Sequence, residues 1–201
     1  MNKLAGILVT ILFATNALGN SVSSRDWQAA GDGLLTFDAA TNLEWLDSSV
    51  TTSTSYLEVE SLIALGGTLD GFRVASLDEI WTLMTDFGIE MGPVGQQIAF
   101  SGDDRLTVLA FLDLTWEGNE GFGYGLTSAL FSPYPDIQRS TLIGQNNELT
   151  EAFINACCGW EQTDSFNNLS TWLVRDAAPV PVPGALVLFS SALIALRRLR
   201  R

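Results

Sequence analysis

The chain has 201 residues, ten of them basic, 23 acidic and none histidine, for a net charge of −13. That length suits one domain with appendages, and a hydrophobic content of 47% excludes a wholly disordered chain. The missing histidine removes the usual near-neutral base and the commonest metal ligand, and with them a serine triad of the common kind.

Charge is sharply segregated along the chain. Lys3 is the only lysine, and Arg197, Arg198, Arg200 and Arg201 crowd the C-terminus. Between Asn20 and Pro179 five arginines stand against all 23 acidic residues, a net charge of −18. Such a surface repels nucleic acid and anionic lipid headgroups.

Residues 1–19 read as a signal peptide: Lys3, then the apolar run LAGILVTILFA from Leu4 to Ala14. Ala17 and Gly19 supply the small residues that a signal peptidase requires, so cleavage is expected after Gly19. Residues 20–26 read as a polar linker, and residues 27–176 as one exported domain.

The first half of that domain is rich in local signals. Leu34–Phe37 and Leu43–Leu46 read as strands around the turn-rich Asp38–Asn42, which predicts a hairpin. Ser55 and Glu58 have capping-box spacing before the apolar positions Tyr56, Val59 and Ile63, with Gly66 and Gly67 as the stop. Gly71–Ala75 is a third strand candidate. Ser76 and Glu79 repeat the capping box ahead of Leu77, Ile80, Trp81 and Met84.

Beyond residue 90 the pattern is weaker. Leu106–Trp116 is apolar enough for a helix or a buried strand, and periodicity does not arbitrate. Gly125–Phe131 and Ser140–Gly144 are strand candidates. Asn147 is expected to cap a helix bearing Leu149, Ala152, Phe153 and Ala156, and Ser170–Arg175 to form a closing strand. The order predicts an α+β fold: a small antiparallel sheet with two or three packed helices, plus an N-terminal signal helix and a C-terminal hydrophobic helix.

Chemistry-bearing residues are sparse. Asp103, Asp104, Glu117 and Glu120 lie in oxygen-rich turns of the kind that ligate calcium, without EF-hand spacing. With 23 acids an acid-pair glycosidase is conceivable, but no pair stands out. Trp45, Trp81 and Trp172 sit in strand or helix patterns and are expected in the core. Trp116 and Trp160 border loops and are the candidates for an exposed ligand platform. Cys157 and Cys158 are adjacent, which leaves a strained vicinal ring, pairing between chains and reduced thiols all open. The glycines at 118, 121, 123 and 125 lack the lysine and the strand-to-helix context of a phosphate loop.

The C-terminus carries the most specific signal. Residues 177–184 (AAPVPVPG) form an extended proline-rich stretch. Residues 185–196 (ALVLFSSALIAL) follow as a hydrophobic membrane segment, and 197–201 (RRLRR) as a basic end. A span needs about 20 residues, which snorkelling arginines help to reach. The four arginines place this end in the cytoplasm and the domain on the periplasmic side of an inner membrane.

The tail VPVPGALVLFSSALIALRRLRR resembles the PEP-CTERM sorting signal in its VPxPA-like variant. Val180, Pro181 and Pro183 match the motif, and Gly184 stands where many members have alanine. The resemblance implies an exosortase as processing partner, a Gram-negative host and delivery to the outer surface or an extracellular polysaccharide matrix. GDGLLTFDAATNLEWLD, GFRVASLDEI and STWLVRD also resemble the Lcl-type, C-type-lectin-like domain common in such proteins. The sugar-binding tripeptides Glu-Pro-Asn and Trp-Asn-Asp of calcium-dependent lectins do not occur here. The expected function is a non-catalytic surface or matrix protein; the alternative is a calcium- or carbohydrate-binding module.

Overall fold

A computed structural model describes residues 21–93, 96–116, 122–130, 136–145, 151–156 and 158–178. The expected signal peptide with Ala17 and Gly19, the expected sorting motif from Val180 to Gly184, the apolar segment after it, the C-terminal arginines, and Glu117, Glu120 and Cys157 lie outside the described residues.

Chain order begins with β1 (Val22–Arg25), β2 (Leu35–Asp38) and β3 (Leu43–Leu46), paired antiparallel in that order. The expected hairpin is therefore present, turned by Asn42 at φ 57°. The expected linker 20–26 is corrected: residues 22–25 are an edge strand, with Val22 buried against the core.

Helix α1 (Tyr56–Ile63) starts at Ser55, whose hydroxyl accepts from the Glu58 amide while Glu58 accepts from the Ser55 amide. The same reciprocal box opens α2 (Leu77–Asp86) at Ser76 and Glu79. Between them runs the short strand β4 (Arg73–Val74). The ambiguous apolar stretch is helical: α3 spans Gly102–Thr115 and buries Val108, Phe111 and Leu112.

The remaining strands are β5 (Ile98–Phe100), β6 (Phe122–Leu130), β7 (Ile137–Gln145), β8 (Ala152–Asn155), β9 (Gly159–Glu161), β10 (Leu169–Thr171) and β11 (Leu173–Asp176). The helix expected after Asn147 is corrected: Ala152–Asn155 is strand β8, paired with β5 and β7. Its burial alternates along the chain, which is the period of a strand with one face in the core.

Among the described residues the fold is α+β, with three α-helices and two sheets rather than one small sheet. The first sheet runs β1-β2-β3-β11-β4 and the second β10-β6-β7-β8-β5, with β9 beside β7. The second is not purely antiparallel, because β10 lies parallel to β6.

Residues 169–176 join the two sheets. Leu169–Thr171 belong to the second sheet and Leu173–Asp176 to the first, with Trp172 at the crossing. Trp172 is fully buried and donates from Nε1 to Thr141 Oγ1 at 2.7 Å. Its backbone bridges Leu126 and Ala75. Trp45 meets it edge-on at 6.3 Å, and Phe111 of α3 packs at 6.4 Å. The main core thus lies where α2 and α3 cover both sheets, and Trp45, Trp81 and Trp172 all reside in it as expected.

Candidate functional site

The end of α2 and the start of α3 form the walls of a groove. Gly88, at φ 99°, ends α2 in a left-handed turn, and the Ile89 amide bonds back to the Met84 carbonyl. This turn sends Ile89 into the core and leaves Glu90 exposed. Across the gap, β5 ends at Phe100 and α3 begins, with Asp103 and Asp104 in its first turn. Carboxylates there interact favourably with the helix amides.

The groove encloses about 400 Å³, within the usual range for small-ligand sites. Thr85 and Thr107 line it together with Glu90 and Asp104, and Ile89 and Phe100 form the floor. Both hydroxyls are committed as donors, Thr85 to the Trp81 carbonyl at 2.9 Å and Thr107 to the Asp103 carbonyl at 3.4 Å.

A second acidic constellation lies in the fold itself. Asp38 closes β2, is fully buried, and accepts from the Ala40 amide at 2.9 Å and the Thr41 hydroxyl at 2.5 Å. Asp86, at the end of α2, shares a side-chain hydrogen bond with it. Burial, and then the negative charge of Asp38, raises the Asp86 pKa above its ordinary 3.8. A protonated Asp86 can donate to Asp38. Glycosidase pairs stand about 5–9.5 Å apart to admit a sugar, so this pair serves to tie α2 to the hairpin.

The remaining charges brace the first sheet. Glu44 bridges Arg25 at 3.0 Å and Arg175 at 2.9 Å, with its side chain 8% exposed. Each guanidinium also covers an aromatic ring, Arg25 on Phe37 and Arg175 on Phe72. Glu79 binds Arg73, whose hydrogen bonds, with those of Ser76, hold the Glu79 pKa down to about 2 against its burial. Asp32 accepts from the amides of Trp27, Gln28, Ala29 and Leu34, which lowers its pKa to about 2 and knots the loop before β2.

Of the two tryptophans expected on the surface, Trp116 lies in the core. Trp116 is only 3% exposed, and Gly123 of β6 has no room for a Cβ beside its ring. It is a core residue that the adjacent loop signal disguised. Trp160 is half-buried in an edge-to-face cluster, 5.2 Å from Tyr124 and 4.8 Å from Phe166.

Asp103 and Asp104 belong to a helix, not to an open turn. Among the described residues no group of three or more Cys, Asp or Glu side chains is placed to hold a metal ion. Cys158, at φ 46°, is disulfide-bonded, and the other cysteine of the chain is Cys157. Among the described residues no helix is long and apolar enough to cross a membrane.

Sequence reasoning reached Asp104 but missed its companions in the groove. Thr85, Glu90 and Thr107 have no motif spacing. Gly88, in its left-handed turn, marks where α2 turns toward α3. Comparison with protein-family models, curated proteins and solved structures returns no match.

Proposed function

We propose that this chain is an exported protein carried by its C-terminal signal to the outer surface or an extracellular polysaccharide matrix, where its domain acts by binding and not by catalysis. The observation that carries the reading is the agreement of the two ends. A signal peptide and a proline-hydrophobic-arginine tail specify one topology, with the acidic segment on the periplasmic side. An exosortase is the processing partner that the tail resemblance implies.

The architecture supports treating the tail as an appendage. Strand β11 lies between β3 and β4 in the first sheet, and Ala177, the residue after it, is buried with its amide bonded to the Asn42 carbonyl. The proline-rich stretch follows directly. The lectin-like scaffold is part of the proposal and draws on the same features: an early hairpin, two capped helices, and a last strand paired with β3.

Protease treatment of intact host cells tests this reading. The domain should be digested from outside, and deletion of residues 184–201 should remove it from the surface fraction. Full protection of the wild-type chain, with release only on lysis, would contradict it.

A further inference from the structure

We propose that the groove between α2 and α3 binds an ammonium-bearing sugar unit, as found in a polymer of amino sugars with free amines. The choice of a sugar rests on the matrix reading above; the choice of an ammonium rests on the groove itself.

Every side-chain polar atom of its described lining can act as an acceptor. Glu90 and Asp104 are carboxylates, which accept only. Thr85 gives its hydroxyl proton to the Trp81 carbonyl at 2.9 Å and offers lone pairs to the groove, and the Thr107 hydroxyl, 3.4 Å from the Asp103 carbonyl, is a further acceptor. The Gly88 and Ile89 amides are likewise engaged, with Thr85 and Met84. No lysine or arginine is among the described lining residues.

A ligand that satisfies such a wall must bring donors, and a primary ammonium brings three on a compact charge. Two acidic residues lining one groove favour that cation, and the acidic composition of the segment favours its approach. The same charges reject uronic acids and other anionic sugars. The lining hydroxyls and carboxylates also accept from sugar hydroxyls, while Ile89 and Phe100, 3% and 7% exposed, leave an apolar floor for a ring edge. An open groove of about 400 Å³ suits a ring better than a thin lysine stem, which gains most from a narrow channel.

Calorimetric titration of the full-length chain with a tetramer of β-linked glucosamine tests the proposal, beside its fully N-acetylated form and tetralysine. Saturable binding of the free-amine tetramer is expected, at least tenfold weaker for the other two ligands and weaker at high salt. The double variant Glu90→Gln, Asp104→Asn should lose at least tenfold, whereas Asp78→Asn, an exposed acid at the far end of α2, should bind as the wild type does. Both groove carboxylates are exposed, so the double variant should keep its melting temperature. No saturable binding of the amine tetramer, equal binding of the acetylated form or of tetralysine, or indifference to the double variant would each overturn the proposal. The titration uses purified protein, so its failure leaves the export reading untouched, and failure of export leaves the titration intact.

Discussion

The sheet of β1, β2, β3, β11 and β4 is braced by charge, and the sheet of β5 to β10 by close approach. In the first, Glu44 holds Arg25 and Arg175 across three strands, and two capping boxes set the helices that flank it. In the second, Gly125 and Gly123 let the rings of Trp172 and Trp116 lie directly on the backbone, and buried hydroxyls such as Thr141 meet them. Polar braces are locally replaceable, because water can substitute for part of what is lost. Ring-on-backbone contacts are not, because nothing fills or relieves the space.

The largest effect should come from Trp172→Ala, which removes a fully buried indole where the sheets exchange a strand. A loss of about 3–5 kcal/mol is expected, read by denaturant unfolding. Gly125→Ala comes next. A methyl there meets the Trp172 ring, which is held by Thr141 and cannot swing aside. Overpacking of this kind costs about 1–3 kcal/mol, and paired in a cycle with Trp172→Ala the penalty should shrink.

Glu44→Gln should cost less, about 1.5 kcal/mol, since both arginines keep access to water. If it proved as damaging as Trp172→Ala, the contrast between the sheets would fail.

The smallest effect, and the most telling in sign, is that of Asp86→Asn. The folded-state pKa of Asp86 is raised, so wild-type stability declines as pH climbs from about 3.8 through that raised value. The variant keeps a donor for Asp38 without ionising, and should be more stable than the wild type at pH 7 with a flatter profile above pH 4. Glu79 works in the opposite direction and in another window: its stabilisation is present above its ordinary 4.5 and is lost as pH falls toward about 2. Melting temperatures across pH 2–8 separate the two.

Legibility followed the same division. The first sheet and its helices were readable because their determinants are neighbours in sequence: Ser55 with Glu58, Ser76 with Glu79, and Asp38–Asn42 as a turn. The second sheet was readable only in part: the candidates at 125–131 and 140–144 overlap β6 and β7, but its other determinants are distant in sequence. Trp116 borders a loop in sequence, and only Gly123 across the sheet makes it a core residue. Leu149, Ala152, Phe153 and Ala156 have the spacing of a helix face, but pairing with β5 and β7 makes Ala152–Asn155 a strand. The groove was illegible for a related reason, as Thr85, Glu90, Asp104 and Thr107 meet only after α2 and α3 pack.

Export and processing remain the centre of the proposed role, and intact mass of the protein recovered from its host tests them most directly. Membrane and extracellular fractions should yield a chain lacking residues 1–19 and ending near Pro183. A species of full mass in the cytoplasmic fraction, retaining both Met1 and Arg201, would contradict the account.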